Sequence, residues 1–288
     1  MITIENLKVQ FKDKVALDID KKLEIKDGDR VGIIGANGAG KTTLINSILG
    51  LVDYSGNIKS NLRPEEMAVH MQYNEYNDML PIRYVMEAIL GQKLEENSLA
   101  MEMIEFFDFK DSLKKKFKHL SGGQKQRMTL ILVLSQDSEI VMLDEVTSGL
   151  DFVTRQRLMD KLVEWYKDKK TTLLITSHYY SELDNLADKI IFLDDGKLIE
   201  YGQKDELFRK YCGNSVIVFE NNEEISKKLE NFSLKKAPQD TIAVSCNNEI
   251  EEIEIAKLLS QHNQNYRRSN NDIEIMTLNA LEQYEMEH

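Results

Sequence analysis

Eight residues, Gly35-Ala36-Asn37-Gly38-Ala39-Gly40-Lys41-Thr42, constrain this chain more than any other segment. They spell G-x-x-x-x-G-K-[ST] between the apolar run Val31-Gly32-Ile33-Ile34 and a helix-like stretch from Thr43 to Leu49. Strand, glycine-rich loop and helix in that order make a phosphate cradle. The glycines let backbone N–H groups curl around an anion, and the helix N-terminus adds its positive dipole end. In such a loop Lys41 reaches the β- and γ-phosphates and the Thr42 hydroxyl sits on Mg²⁺. The segment implies a bound nucleoside triphosphate, with Gly35, Asn37, Gly38, Ala39, Gly40 and Thr43 beside Lys41 and Thr42 as its contacts.

Charge and hydropathy narrow what the cradle can serve. The 288 residues hold one large domain, or a medium one with a smaller companion. A net charge of −12 argues against nucleic acid as the main partner, because phosphate backbones reward a basic surface. The longest apolar stretches, Leu130 to Leu134 and Thr172 to Thr176, fall far below the roughly 20 residues needed to span a bilayer. Met1-Ile2-Thr3-Ile4-Glu5 has neither a basic nor an apolar leader region, so no export signal is expected. Cys212 and Cys246 lack any partner at metal-ligand spacing and read as reduced, packed thiols.

Along the chain, the first thirty residues alternate apolar and polar (Ile2, Ile4, Leu7, Val9, Phe11, then Leu17, Ile19, Leu23, Ile25), the period of half-buried strands. From about Asp78 to Ser135 the spacing becomes helical, which predicts a helical subdomain over about 73–135. Strand signals return at Ile140 to Leu143, Leu173 to Ile175 and Ile190 to Leu193, with a helical stretch from Val153 to Lys167 between them. Strands alternating with helices predict an α/β fold with a parallel sheet covered on both faces. Beyond Tyr211 the character changes: from Gly213 onward there are 14 acidic and 7 basic residues. Strand-like pieces at Val216 to Phe219, Ile242 to Ser245 and Ile273 to Met276 each precede a helix-like piece. The expected division is 1–211 and a small acidic α+β domain at 212–288.

A phosphate cradle alone leaves kinases, GTPases and motors open. Leu120-Ser121-Gly122-Gly123-Gln124, followed by an apolar helix, offers a second anion site made of N–H groups, a hydroxyl and a dipole end. Its plainer reading is a solvated helix cap. Further on, Ile140-Val141-Met142-Leu143-Asp144-Glu145 reads as a buried strand that delivers two carboxylates to its C-terminal edge, where ligands bind in such sheets.

With these motifs in this order, residues 1–210 resemble an ATP-binding cassette (ABC) ATPase. The resemblance implies a P-loop NTPase core with an antiparallel β subdomain and an inserted helical subdomain. It implies that Asp144 orients the Mg²⁺ shell and that Glu145 is the general base for the attacking water. It matches Gln72 to a loop residue that contacts Mg²⁺ and that water, and His178 to a switch histidine on the γ-phosphate. Ser148 to Asp151 matches the loop along the dimer interface, and Phe11 the aromatic that stacks on adenine. Phe11 as strand core, Gln72 as a surface residue and His178 as a strand-end histidine are the competing readings. Val146 stands where the family usually has Pro, so φ is unconstrained in the turn leaving Glu145.

The resemblance also implies partners. One chain carries one P-loop and one Ser121–Gln124 segment, and in the family these close on the same ATP only across two subunits. A homodimer with two ATP and Mg²⁺ is therefore expected. It would drive a separate transmembrane permease from the cytoplasmic face of the membrane. Tyr73, Tyr76, Met79 and Leu80 are candidate permease contacts. The stretch Thr277 to Glu282 is similar to the closing motif of drug- and peptide-export ATPases. Size and layout are similar to those of lantibiotic-immunity, bacitracin-resistance and phenol-soluble-modulin exporters of Gram-positive bacteria. This favours export of amphipathic or antimicrobial peptides. A small-solute importer and a soluble, non-transport ABC ATPase are the alternatives.

Overall fold

A computed structural model describes residues 1–71, 76–177 and 179–287. Of the positions singled out in the sequence, Gln72, Tyr73 and His178 lie outside the described residues. Strands β1 (Ile2–Phe11), β2 (Lys14–Ile19) and β3 (Leu23–Ile25) bury their alternate apolar side chains. Strand β4 (Arg30–Ile34) feeds the glycine-rich loop and helix α1 (Lys41–Ile48). After β5 (Ser55–Ser60) and β6 (Ala68–His70) come three helices, α2 (Ile82–Leu90), α3 (Ser98–Phe106) and α4 (Gly122–Leu134). Helix α2 stops at Gly91, whose φ of 68° suits a glycine, and Asn97 caps α3 by accepting from the Ala100 N–H.

The chain continues through β7 (Ile140–Asp144), α5 (Phe152–Tyr166), β8 (Thr172–Thr176), α6 (Tyr180–Leu186), β9 (Lys189–Asp194), β10 (Lys197–Gln203) and α7 (Lys204–Cys212). All five residues of β7 and of β8 are buried, as expected for central parallel strands covered on both faces. The ten-stranded sheet runs β3-β1-β2-β10-β9-β4-β8-β7-β6, with β5 on the other side of β1. Within it β9, β4, β8, β7 and β6 are parallel neighbours. Their C-terminal ends therefore share one edge: Ile33 is opposite Thr176, Thr176 opposite Asp144, and Leu143 opposite His70. This register assembles the site. The mixture of antiparallel edge, parallel centre and inserted helices is the α/β architecture expected from the motifs.

The last segment comprises β11 (Ser215–Glu220), α8 (Glu223–Lys228), β12 (Ser233–Lys235), β13 (Thr241–Cys246), α9 (Glu249–Gln261), β14 (Tyr266–Ser269) and α10 (Ile273–Glu287). Its sheet, β12-β13-β11-β14, is antiparallel throughout, so β11 to β14 trace a split βαβ of ferredoxin-like topology. One face (Ile217, Phe219, Val244) packs on Ile225, Leu229, Ile255 and Leu259 of and beside its own helices. The other face (Val216, Val218, Ala243) joins the core that holds Phe208, Tyr211 and Cys212 of α7.

The structure corrects one expectation. Ile273 to Met276 is not a strand but the first turn of α10. The Asp272 carboxylate accepts from the Ile275 N–H at 3.0 Å and its carbonyl from the Met276 N–H, a helix cap that outweighs the apparent apolar alternation. Among the described residues no helix is long and apolar enough to cross a membrane.

Candidate nucleotide-binding site

The loop between β4 and α1 owes its shape to glycine. Gly35, Gly38 and Gly40 have φ of 149°, 84° and 103°, values that side chains disfavour. A Cβ on Gly35 would also run into the Leu193 carbonyl oxygen. No side chain caps α1, so its first N–H groups stay available to an anion. Lys41, 5% exposed, folds back and donates to the carbonyl oxygens of Gly35 (2.7 Å) and Ala36 (3.1 Å). Burial pulls its pKa below the usual lysine range, against the opposing pull of Glu145 and Asp144. The negative charge of an incoming phosphate would push it back up.

A cavity of about 500 Å³ opens over this loop, and Phe11, Asn37, Gly38, Gly40, Lys41, Thr42, Thr43 and Glu145 line it. Phe11 is half exposed at its mouth, which sets aside the strand-core reading. Gly35 and Ala39 lie behind the loop, Ala39 in the core. Lys14 and Ala16 also line the cavity; nothing in their spacing marked them, because only the β1–β2 hairpin turns them toward the loop.

Behind the cavity, the register of β7 and β8 builds a hydroxyl–carboxylate chain. Thr42 Oγ1 donates to Asp144 Oδ2 at 2.8 Å, and Thr176 Oγ1 donates to Asp144 Oδ1 at 2.6 Å. Thr176 also accepts from the Glu145 N–H at 2.9 Å. Glu145 itself stands at φ 50°, a left-handed kink that turns it out of the strand. The buried His70 ring adds a contact of 3.3 Å from Nδ1 to the Asp144 carbonyl oxygen. Thr42 and Asp144 present hard oxygens in contact, a donor pair that suits Mg²⁺. The turn after Glu145 is held without proline: Val146 is fully buried and its carbonyl accepts from Gln126 Nε2 at 3.0 Å.

Ser121, Gly122, Gly123 and Gln124 do not join the cavity over the P-loop. Ser121 and Gln124 cap α4 reciprocally, Ser121 Oγ accepting from the Gln124 N–H and Gln124 Oε1 from the Ser121 N–H. Gly122 and Gly123 have open space where a side chain would be. They line a separate cavity of about 830 Å³ with Tyr76, Ser148 and Glu145, which places Glu145 on the wall of both cavities. Asp151 caps α5 through the Thr154 N–H and also stays outside the P-loop cavity. Within one chain Lys41, Thr42 and Asp144 are therefore assembled over the P-loop, whereas Ser121 to Gln124 stay outside that cavity and Gly122 and Gly123 meet Glu145 across the second one.

A glycine cradle on a parallel sheet, with a buried acid and a kinked glutamate at the same edge, defines a P-loop nucleotide-binding protein. The ABC transporter family model matches residues 20–148. The chain is 31% identical to the probable amino-acid import ATP-binding protein YxeO of Bacillus subtilis, over 72% of this chain and 91% of that protein. It is 28% identical to the linearmycin resistance ATP-binding protein LnrL of Bacillus subtilis, over 75% of this chain and 74% of LnrL. Its fold is similar to that of the dimeric MJ0796 bacterial ABC transporter cassette, with a TM-score of 0.63 and 23% identity over 70% of this chain and 98% of the cassette. The chain belongs to the ABC transporter ATP-binding family, a class of ATP hydrolases.

Proposed function

We propose that two copies of this chain close on two ATP and two Mg²⁺, and that the cycle of closure and hydrolysis drives a separate membrane-spanning subunit. The observation that carries this reading is the divided site. Lys41, Thr42, Asp144 and Glu145 converge over one loop, whereas Ser121, Gly122 and Gly123 lie elsewhere on the chain, the two glycines facing open space. A second copy would supply them to the γ-phosphate, as the dimeric MJ0796 cassette supports. In this reading Lys41 and the loop N–H groups bind the phosphates, and Phe11 stacks on the base. Thr42 and Asp144 hold Mg²⁺, which neutralises phosphate charge when bound. Glu145 accepts a proton from the attacking water, and the family resemblance gives Gln72 a role on Mg²⁺ and that water and His178 a role on the γ-phosphate. Asp151 and its neighbours line the seam between the two copies.

The membrane subunit would dock from the cytoplasmic side near the exposed Met79 and Leu80, beside Tyr76. We assign the direction to export of amphipathic or antimicrobial peptides, which the resistance role in the name of LnrL supports. Residues 212–288 act as an accessory unit in this scheme. A second reading, amino-acid import, is favoured by the name of YxeO. The test is a mild-detergent pull-down of a Glu145→Gln chain from its native membranes with ATP. The expected result is a trapped dimer with a stoichiometric polytopic partner, whose loss of function sensitises cells to a peptide rather than starving them of an amino acid. A Glu145→Gln chain that turns over ATP normally would refute the catalytic assignment.

A further inference from the structure

One buried carboxylate near the site has no part in the nucleotide chemistry above. Glu182, in α6, is 6% exposed. Its Oε2 accepts from the Thr147 hydroxyl at 3.1 Å and from the Ser177 hydroxyl at 2.5 Å. Among the described residues its Oε1 accepts no hydrogen bond, and Arg155 Nε stands 3.8 Å away. A buried carboxylate is costly, and a leucine would fill the same space without that cost. Its partners indicate what the charge holds.

Thr147 lies two residues beyond Glu145, in the turn closed by the bond from the Ser148 N–H to the Glu145 carbonyl oxygen. Ser177 and Tyr179 bracket position 178, and the Tyr179 N–H donates to Ser177 Oγ at 2.9 Å. Arg155 projects from α5, the helix that Asp151 caps, and its guanidinium lies 4.1 Å from the centre of the Tyr179 ring. One carboxylate oxygen therefore ties the turn after β7 to the segment after β8, and the opposite oxygen faces the cation of α5. Hydroxyl-to-carboxylate bonds are short and directional, so two on one atom fix Thr147 and Ser177 relative to each other.

We propose that Glu182 is a positioning residue of the hydrolytic site, setting the turn after Glu145 at a fixed separation from Ser177 at the end of β8. The inference rests on the ATP-hydrolysing reading above. Displacing a reacting group by an ångström through a distant mutation costs rate rather than binding. Glu182 is not among the residues lining the P-loop cavity, so ATP affinity should not depend on it.

The test uses the full chain with Glu182→Leu, Glu182→Gln, Thr147→Val and Ser177→Ala. It reads the Kd of a fluorescent ATP analogue, kcat, KM and the thermal midpoint. Glu182→Leu should lower kcat about 30-fold or more while Kd stays within about twofold. Glu182→Gln retains an acceptor and should lose only about three- to tenfold. Thr147→Val should lower kcat about tenfold alone and add little to Glu182→Leu, as expected for one network. If Glu182→Leu does not fold, Thr147→Val and Ser177→Ala decide the question by the same split. Variants that lower the thermal midpoint but keep kcat within about twofold would overturn the inference and leave Glu182 a structural residue. A wild-type chain that neither binds the analogue nor hydrolyses ATP would overturn the ATPase reading, and this inference with it.

Discussion

Replacing Thr176 by valine changes the side-chain volume little but removes the hydroxyl that joins Asp144 to the Glu145 backbone. Thr176 is fully buried and Asp144 is 1% exposed, so water cannot replace what is lost. Two bonds disappear: the donation to Asp144 Oδ1 at 2.6 Å and the acceptance from the Glu145 N–H at 2.9 Å. A hydrogen bond to a charged group contributes about 1.5–3 kcal/mol, and a buried N–H left unpaired costs about 1–3 kcal/mol. The better burial of a valine methyl offsets about 1 kcal/mol, leaving a net loss of about 3 kcal/mol. For a chain of this size the thermal midpoint should fall by about 5 °C. Circular dichroism melts and urea titrations of the nucleotide-free chain measure it, because bound ATP would stabilise both variants by mass action. Thr176→Ser keeps the hydroxyl and loses one methyl, so it should cost only about 1 kcal/mol. A Thr176→Val chain melting within about 2 °C of wild type, or a serine variant less stable than the valine one, would refute the reasoning.

Other perturbations test separate parts of the account. Gly35→Ala forces a Cβ against the Leu193 carbonyl at a positive φ, so nucleotide binding should be lost together with about 3 kcal/mol or more of stability; isothermal titration and denaturation would show whether either survives. Phe11→Ala should weaken ATP binding about tenfold with kcat at saturation unchanged, and an unaffected Kd would return Phe11 to a bystander. Burial raises the Asp184 carboxyl to about 6, against the nearby Lys204. An acid raised in the folded state binds its proton more tightly there, so stability falls as pH rises from the unfolded value toward about 6. After discounting for solvent screening, Asp184→Asn should stabilise the chain by about 1 kcal/mol at neutral pH and give no gain below about pH 4; equal shifts of the urea midpoint at both pH values would contradict this.

The parts of this molecule legible in its sequence are those whose signals are local. The glycine loop, the all-buried β7 and β8, and the alternation in β1 to β3 each announce themselves within about ten residues. Asp144 and Glu145 are readable because they end an apolar run. Thr176, Thr147 and Glu182 are not, because their roles come from strand register and from the packing of α6, which no local pattern encodes. Edge strands escape for another reason. Strand β14, Tyr266–Ser269, is largely exposed and shows no apolar period, since β11 covers only one of its edges. At Ile273 to Met276 the reverse holds: a true apolar alternation occurs on a helix buried on several sides, and the Asp272 cap decides the backbone.

Helix α10 has a consequence for how the chain comes into being. It leaves the small sheet and returns to pack against α6, α7 and β10, and its Thr277, Leu278 and Leu281 share a cavity wall with Gly35 to Asn37. Residues 1–212 contain every motif of the cassette, yet their core is continuous with Ile273, Ile275, Met276 and Ala280 of α10. A ribosome that has delivered the cassette has not delivered its cover. The surface beside the nucleotide loop stays uncovered while residues 213–272 are made, a window in which a holdase chaperone has something to grip.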